Sequence, residues 1–391
     1  MREVFTTFLR LGSTSFGGPV AHLGYFRRTF VEERRWIDES TYARLVAFCS
    51  ILPGPTSSQV GMLIGLTRGG PLGAFLAWLG FTAPSAILMT LIAATLGAVE
   101  GHRPPVWFTG LLAGLFAAAA AVVAQAVLGL ARSLCTDPPT RSIALGATIL
   151  ALALRAVPGL QWAPIIAGAI VGAGFLRAPA LPAEALPIRV PRAVALASAG
   201  LALALVGLTL LPATPALALL ATLVRAGALV FGGGHVVLPL LQSTVADGLI
   251  SARDFYAGYG AVQAMPGPIN TFASFLGYAN GSPLHGALGA LVATALIFAP
   301  SFALIFALAP GWNRLAAEPR AAGAIRGANA SVVGLLGAVL YDPVIVSLGT
   351  NGSRILIALA AFALIAAWRI APWIVVLGAA AAGALLAAGG R

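Results

Sequence analysis

Residues 51–59, Ile-Leu-Pro-Gly-Pro-Thr-Ser-Ser-Gln, interrupt an apolar segment that extends from residue 41 to residue 66. Proline lacks the backbone N–H that a helix needs and clashes with the preceding turn, while glycine adopts dihedral angles that other residues avoid. The Pro-Gly-Pro sequence at 53–55 therefore predicts a helix that breaks in the middle of an apolar run. The same tripeptide occurs at 266–268, within the apolar segment 253–280, at an offset of 213 residues.

Two further pairs of motifs keep nearly the same offset. Residues 8–12 (Phe-Leu-Arg-Leu-Gly) and 16–18 (Phe-Gly-Gly) match 223–227 (Leu-Val-Arg-Ala-Gly) and 231–233 (Phe-Gly-Gly) at an offset of 215. Ala-Pro-Ser occurs at 83–85 and again at 299–301, at an offset of 216. Three anchors in one order predict an internal repeat. We therefore divide the chain into a first repeat (1–178), a linker rich in proline and arginine (179–192), and a linking helix with a second repeat (193–391).

The composition is that of a membrane protein. Only 9% of the 391 residues are charged and 59% are hydrophobic, whereas about a quarter of the residues in a soluble domain are charged. This excludes a soluble enzyme, a disordered protein and a nucleic-acid binder. The net charge is +11, and every Lys or Arg position of the chain is an arginine. These arginines lie mostly in short loops between apolar runs, which is typical of membrane topology signals.

Thirteen apolar segments are candidates for crossing a bilayer, which takes about 20 residues of α-helix. Two short runs, 141–156 and 354–368, are each expected to form a helical hairpin with the run that follows. Seven uninterrupted runs cover residues 72–98, 106–131, 158–176, 194–211, 283–309, 321–346 and 370–389. Four broken segments cover residues 4–25, 41–66, 215–239 and 253–280.

The positions of the arginines discriminate between two topologies. If all thirteen segments cross, with loop 26–40 inside, 9 loop arginines lie inside and 11 outside. If the four broken segments are re-entrant or otherwise fail to cross, 15 lie inside and 5 outside. Because loop arginines concentrate on the cytoplasmic side, we predict an all-α polytopic integral membrane protein with nine full spans and four broken segments.

In that topology the additional helix at 194–211 gives the two repeats opposite orientations. The basic loop at 27–35 agrees, because its counterpart at 240–248 contains no arginine. Inverted repeats with interrupted helices at matching positions are typical of secondary transporters, and the interruptions indicate the binding site.

The two breaks carry the predicted substrate site. Proline suits the first position of a helix, so a half-helix can begin after each Pro-Gly-Pro. Its first N–H groups lack helical partners and carry partial positive charge, which favours anions. The predicted binding residues at the breaks are Pro53, Gly54, Pro55, Thr56, Ser57, Gln59, Pro266, Gly267, Pro268, Asn270 and Thr271.

Repeated glycines and arginines complete the predicted site. Gly17, Gly18, Gly232 and Gly233 allow the backbone to approach a ligand closely. Arg10 and Arg225 occupy equivalent positions in apolar surroundings, where a charge costs about 2.5–3.5 kcal/mol on insertion scales and indicates a function. A guanidinium binds two oxygens of a tetrahedral oxyanion at once; the alternative is that these side chains extend to the membrane interface.

Two other polar residues, His22 and His235, are expected outside the site because they do not align with each other. Arg326 is a third candidate for binding the anion, ranked below Arg10 and Arg225 because it has only apolar counterparts in the first repeat. No chain of buried carboxylates that could relay protons is evident. The two cysteines and four histidines show no disulfide or metal-ligand spacing, so we expect neither a metal nor a cofactor.

At the level of motifs, the chain resembles the chromate ion transporter family in its long, two-domain form. The resemblance rests on the Phe-Gly-Gly and Pro-Gly-Pro pairs, on Trp-Ile-Asp at 36–38 after the basic loop, and on the Ala-Pro-Ser pair. It implies efflux of chromate from the cytoplasm and chromate resistance, with sulfate as a substrate of similar shape.

The expected function is therefore secondary export of a tetrahedral oxyanion across the inner membrane, driven by the membrane potential. A sulfate or other oxyanion carrier or exchanger is the alternative, and a passive anion channel is a further one. An enzyme acting on lipid phosphates is not expected, because no cluster of nucleophilic or acid–base residues is evident. The expected partners are the anion and the lipid bilayer, without nucleic acid, and both a monomer and a homodimer are open.

Overall fold

The computed structural model describes residues 1–16, 18–98, 105–154, 160–176, 188, 190–211, 214–230, 237–241, 243–246, 248–263, 265–312 and 318–389. Helices and short connections account for these residues, and none of them forms a β-strand. The prediction of an all-α polytopic protein is confirmed.

The first repeat contains seven helices among its described residues. They are α1 (Arg2–Thr14), α2 (Gly18–Arg27), α3 (Glu39–Ile51), α4 (Thr56–Ala98), α5 (Val106–Leu134), α6 (Pro138–Leu154) and α7 (Ala163–Phe175). A π-helical turn (Arg28–Glu33) follows α2, and a 3₁₀ turn (Leu160–Trp162) precedes α7. Helix α4 bends at Gly69 and Gly70, whose dihedral angles are not helical.

The linking helix and the second repeat follow the same order. They comprise α8 (Arg192–Leu208), α9 (Pro215–Leu229), the short α10 (Val237–Leu241) and α11 (Ser243–Ala246), α12 (Ala252–Gln263), α13 (Phe272–Ala279), α14 (Gly286–Leu308), α15 (Pro319–Val339), α16 (Gly352–Ala366) and α17 (Pro372–Gly389). The 3₁₀ turns Ile269–Thr271 and Ala309–Gly311 flank α13 and α14, and α15 continues into a π-helical turn (Leu340–Ile345) and Val346–Leu348.

Each of the nine predicted spans coincides with a helix. Five described helical stretches are long and apolar enough to cross a membrane: Thr56–Gly97, Val106–Leu134, Gly286–Gly311, Pro319–Asp342 and Pro372–Gly389. Helices α6, α7, α8 and α16 are shorter apolar helices. The chain is a multi-pass membrane protein, while the number of crossings and the opposite orientation of the repeats stay predictions.

The predicted breaks are present wherever the chain is described. A break at Ser15 and Phe16 separates α1 from α2, and residues 52–55 separate α3 from α4. In the second repeat, residues 265–268 lie between α12 and the next helical turn. Most of the linker and Phe231-Gly232-Gly233 lie outside the described residues, so the domain boundaries also stay predictions.

The last two helices of each repeat pack against a helix of the other repeat. Helix α5 packs against α16 and α17 of the second repeat, and α15 packs against α6 and α7 of the first. Glycine allows the close approach: a methyl group on Gly110 would lie 2.3 Å from the carbonyl oxygen of Gly383, and one on Gly327 would lie 2.0 Å from that of Gly168. The first of these contacts agrees with the packing role expected for small residues in membrane helices.

The half-helices that follow the breaks fold back on the next helical segment. In α4, Gly65 contacts Gly73 across the bend, and Gly277 of α13 contacts Gly289 of α14 in the same way. Both reversals contain a glycine with positive φ, +60° at Gly70 and +67° at Gly286. The equivalent hairpins place both Pro-Gly-Pro sequences in the interior of the molecule.

Candidate functional site

Each Pro-Gly-Pro break forms a hydrogen bond with the end of the first helix of the other repeat. The Gly54 N–H of the first Pro-Gly-Pro donates over 2.6 Å to the carbonyl of Val230, the residue that caps the C-terminus of α9. The Gly267 N–H of the second donates to the carbonyl of Ser15, at the end of α1, over 2.9 Å. These two hydrogen bonds are equivalent under the repeat, and they bring both breaks to one centre.

The serines of the two Ala-Pro-Ser motifs lie next to the same glycines, and each serine contacts the glycine of the other repeat. A methyl group on Gly54 would lie 2.6 Å from the Ser301 hydroxyl, and one on Gly267 would lie 3.0 Å from the Ser85 hydroxyl. Both glycines have positive φ, +126° and +85°, so glycine is needed there for conformation and for space. The Ala-Pro-Ser pair is not among the predicted site residues, although its repetition is a signal that the sequence carries.

Helix α4 begins with four buried polar residues, Thr56, Ser57, Ser58 and Gln59, none more than 4% exposed. The Thr56 and Ser58 hydroxyls and the Gln59 carbonyl oxygen have no hydrogen-bond partner among the described residues. The Gln59 amide donates to the Pro53 carbonyl over 2.6 Å, which stiffens the loop. Buried polar groups are nearly always paired, so a set of open ones in an apolar protein is a candidate ligand site.

The second half-helix starts differently. Residues Ile269–Thr271 form a 3₁₀ turn, in which the Thr271 N–H and hydroxyl both donate to the Pro268 carbonyl, over 3.0 Å and 2.8 Å. Asn270 is 1% exposed, and its Nδ2 donor has no partner among the described residues. The second break therefore has one open donor group, the Asn270 amide, where the first has two hydroxyls.

His22 is a residue of this centre that the sequence reasoning excluded. It is fully buried in α2, with Nε2 3.2 Å from the Ser15 carbonyl and Nδ1 3.2 Å from the Ser57 hydroxyl. Its ring meets that of Phe81 edge-on at 5.1 Å. No pattern in the sequence indicated this placement, because Val237 and not a histidine occupies the equivalent position in the second repeat.

We call the following residues the central polar cluster: Ser15, His22, Thr56, Ser57, Ser58, Gln59, Ser85, Asn270 and Ser301. All of them are buried. Hydrogen bonds or contacts with the two Pro-Gly-Pro loops connect Ser15, His22, Ser57, Gln59, Ser85 and Ser301, and Thr56, Ser58 and Asn270 lie beside these loops in the sequence. Their groups are neutral hydroxyls, amides and one imidazole. Together with the half-helix N-termini, they can surround an anion with donors and without a fixed counter-charge.

Three predicted glycines, Gly17, Gly232 and Gly233, lie outside the described residues. Gly18 begins α2 with a φ of +75°, so its conformation favours glycine at that break. Pro55 ends the first break directly before α4, as expected.

The intramembrane arginines lie in different settings. Arg10 is exposed on α1, whose buried residues include Phe8 and Leu11. Arg225 is half-buried in α9, and its Nη2 donates to the Thr222 hydroxyl over 3.0 Å. Repeat-equivalent sequence positions thus have unequal burial.

Arg326 has a structural partner. Its guanidinium binds the Asp137 carboxylate, at the turn between α5 and α6, over 2.5 Å. Hydrogen bonds from Thr140, with the Arg326 guanidinium, hold the pKa of the Asp137 carboxyl below its ordinary value. This ion pair joins the two repeats, which explains an arginine in only one of them. Among the described residues, no group of His, Cys, Asp and Glu could hold a metal ion.

Comparisons with known proteins agree with the motifs. A family model described as chromate transporter matches residues 2–173 and 217–384. The chromate transport protein of Pseudomonas aeruginosa is 30% identical over 345 residues, which cover 87% of this chain and 80% of the relative. An uncharacterized transporter of Methanocaldococcus jannaschii is 29% identical over 323 residues, 80% of this chain and 77% of its own. The chromate transport protein of Cupriavidus metallidurans is 27% identical over 345 residues, 87% and 82% of the two chains. No solved structure matches the chain.

Proposed function

Since the chain belongs to the chromate transporter family, we propose that it exports chromate from the cytoplasm across the inner membrane and thereby confers chromate resistance. The substrate is a tetrahedral dianion. The transporter is a secondary one, because the sequence contains no nucleotide-binding motif.

The observation that supports this proposal is the set of open donors at the first break. The N–H groups of Thr56 and Ser57 begin a helix, and the Thr56 and Ser58 hydroxyls have no partner among the described residues. Leaving a buried donor unpaired costs about 1–3 kcal/mol, so an anion that accepts these hydrogen bonds recovers that free energy. Four oxygens around a tetrahedral centre can accept from both half-helices at once.

The proposed site combines these donors with the breaks themselves. Asn270 and Thr271 contribute from the second half-helix, and the Gly-Gly pairs allow close approach of the backbone. Arg10, which is exposed on α1, and Arg225, which donates to the Thr222 hydroxyl, add positive potential. Because solvent weakens the attraction between charges, the half-buried Arg225 attracts the anion more strongly than the exposed Arg10 does.

The direction follows from electrostatics. An inside-negative potential of ~100 mV contributes about 2.3 kcal/mol per charge. A dianion that leaves the cell therefore gains roughly 4.6 kcal/mol, which sustains a gradient on the order of a thousandfold. Export needs no other energy source, whereas uptake does. Neutral donors recognise any tetrahedral dianion, so sulfate is expected to compete with chromate.

Flux into proteoliposomes tests the function. Vesicles with the purified chain receive labelled chromate or sulfate, with and without an imposed potassium-diffusion potential. We expect saturable chromate flux that increases when the potential drives the anion across and that sulfate inhibits. The double variant Thr56→Val/Ser58→Ala should lose most of the flux.

A matched control is Thr95→Val, the same substitution at an exposed threonine near the other end of α4. This variant should transport as the wild type does. Flux that fails to saturate at any chromate concentration indicates a channel, and an absence of flux of both anions contradicts the proposed function.

A further inference from the structure

The hydrogen bonds of His22 have a defined direction. A carbonyl oxygen only accepts, so the contact between Nε2 and the Ser15 carbonyl places a proton on Nε2. A neutral imidazole carries one ring proton, which leaves Nδ1 as an acceptor. The Ser57 hydroxyl therefore donates to Nδ1. While His22 is neutral, the hydroxyl proton of Ser57 is directed toward the imidazole and away from any anion.

The Ser15 carbonyl that binds His22 also accepts a hydrogen bond from the Pro-Gly-Pro loop of the second repeat. Ser15 accepts from Nε2 of His22 and from the Gly267 N–H, over 3.2 Å and 2.9 Å. One chain of hydrogen bonds thus extends from the Pro-Gly-Pro of the second repeat through Ser15 and His22 to Ser57 at the start of α4. A change in the protonation of the imidazole therefore alters hydrogen bonds that connect to both half-helices.

Charged groups lie away from His22. The ionisable side chains of α1 to α4 and of the π-helical turn that are exposed are Arg2, Glu3, Arg10, Tyr25, Arg27, Arg28, Glu32, Glu33, Glu39 and Arg68. From α3, the Tyr42 hydroxyl donates to the Leu23 carbonyl, Arg44 bonds to Thr41, and Cys49 is a buried thiol. The hydrogen bonds of His22 with described residues reach only Ser15 and Ser57. An imidazolium at this position therefore has no resident counter-ion among the described residues, and a buried charge without one is costly.

A bound dianion supplies that counter-ion. We propose that His22 couples anion binding to the uptake of one proton: protonation of Nδ1 reverses the hydrogen bond to Ser57, which frees the Ser57 hydroxyl to donate to the anion. The proton comes from water and forms an N–H bond at Nδ1, while the Ser57 O–H bond only rotates. The inference rests on the proposed function and adds His22 to it as a positioning residue that responds to protons.

The consequence is a change in the charge that moves. A dianion that travels with one proton carries one net charge instead of two, so the potential drives it half as strongly. Val237, which cannot take up a proton, occupies the equivalent position in the second repeat, so the repeat does not duplicate His22.

Proton uptake on binding tests the inference directly. The purified full chain, in a weakly buffered solution with a pH indicator, is titrated with sodium chromate, and separately with sodium sulfate, above the pH at which chromate itself takes up a proton. Equilibrium dialysis measures the bound anion. The wild type is expected to take up about one proton for each anion bound. His22→Gln keeps an amide donor but accepts no proton, and it should bind about tenfold more weakly without proton uptake.

The control carries the same substitution elsewhere. His285→Gln alters an exposed histidine before α14, and it should retain both the affinity and the proton uptake of the wild type. Equal proton uptake in His22→Gln and the wild type overturns the inference, as does anion binding by the wild type without proton uptake. In both cases the proposed function stands.

Absence of binding of either anion to the folded wild type overturns the proposed function and this inference with it. Where His22→Gln does not fold, ring-nitrogen NMR of the four histidines in the wild type decides. Chromate should convert one neutral imidazole into an imidazolium, and unchanged signals contradict the proposal.

Discussion

The two Pro-Gly-Pro breaks have the same backbone design and different chemistry. Each glycine has positive φ and donates to the first break of the other repeat. After Pro55 the chain continues with Thr-Ser-Ser-Gln in a regular α-helix, whereas after Pro268 it continues with Ile-Asn-Thr-Phe in a 3₁₀ turn. The first break therefore has two open donor groups where the second has one, and among the described residues it alone contacts a histidine. The backbone of the repeat is kept, while the proposed substrate contacts are concentrated in the first half.

The hairpin turns that support these breaks differ in the same way. At the turn of α4, Glu3 pairs with Arg34 and Arg68, and both guanidinium groups lie over the Trp36 ring. The equivalent turn before α14 is held by neutral groups, with Asn280 at their centre. The charged turn belongs to the predicted cytoplasmic side. This difference agrees with opposite orientations of the two repeats, which stay a prediction.

The largest expected effect separates the two glycines. An alanine Cβ at position 54 would lie 2.2 Å from Gln59 Nε2, whereas at position 267 it would lie 3.0 Å from the Ser85 hydroxyl. Both positions also impose positive φ, which costs a non-glycine residue roughly 1–2 kcal/mol. We expect Gly54→Ala to abolish chromate flux and Gly267→Ala to retain part of it, measured in proteoliposomes with equal amounts of folded protein.

Gly248→Ala is the control for backbone strain, because its φ is +70° and no atom lies within 4 Å of the added carbon. It should transport nearly as well as the wild type. Equal losses in all three variants would show that strain alone, and not crowding of the site, explains the effect.

The second comparison concerns stability at the two hairpin turns. Asn280 donates to the carbonyls of Gly277 and Leu284, over 2.7 Å and 3.0 Å, and accepts from the Ser282 N–H over 2.9 Å. Asn280→Ala removes the side-chain partner of the Gly277 carbonyl and of the buried Ser282 N–H, and it should lower the free energy of unfolding by about 3 kcal/mol. Glu3→Gln breaks exposed ion pairs and should cost about 0.5 kcal/mol.

Reversible unfolding in mixed micelles measures both changes. High salt should reduce the cost of Glu3→Gln, because exposed charges are screened, and should leave that of Asn280→Ala unchanged. A loss in Glu3→Gln as large as in Asn280→Ala contradicts the contrast drawn between the two turns.

The third prediction separates affinity from stability at the two half-helices. The Thr56 hydroxyl is buried without a partner among the described residues, whereas the Thr271 hydroxyl bonds to the Pro268 carbonyl. Thr56→Val should weaken chromate binding about tenfold without loss of stability. Thr271→Val should cost about 1 kcal/mol of stability and alter affinity less.

Equilibrium dialysis and thermal unfolding of the same samples provide the two measurements. A larger loss of affinity in Thr271→Val than in Thr56→Val would reverse the proposed asymmetry of the site.

The smallest expected effects belong to the arginines. Removal of a charge acts more strongly where burial lowers the local dielectric. Arg225→Gln should therefore reduce chromate flux about fivefold, and Arg10→Gln about twofold. Arg369→Gln removes an exposed charge from a loop and serves as the control. Unchanged flux in both single variants and in the double variant removes these residues from the site.

Much of the architecture was predictable because helix formation and membrane crossing depend on local patterns. Pro-Gly-Pro breaks a helix wherever it stands, and α4 begins directly after Pro55. All nine predicted spans are helices, since apolar length is a property of each segment alone. The matching family model confirms the resemblance that the paired motifs indicated.

The candidate site was predictable only in part. Gly54 and Gly267 could be found because backbone chemistry repeats in the sequence, but their partners Ser301 and Ser85 lie in the opposite repeats. His22 could not be found, because a single histidine without a repeat counterpart carries no pattern. Arg10 and Arg225 were equivalent in sequence and differ in burial.

The amino-acid sequence was sufficient for the class of the protein, its repeat, its helices and the positions where they break, because proline, glycine, apolar length and arginine placement act locally. Only tertiary packing decided which of these breaks meet. It joined Gly54 to Val230 and Gly267 to Ser15, and it buried His22 against Ser57. Those contacts join residues far apart in the chain, and they depend on how the two repeats interlock as a whole.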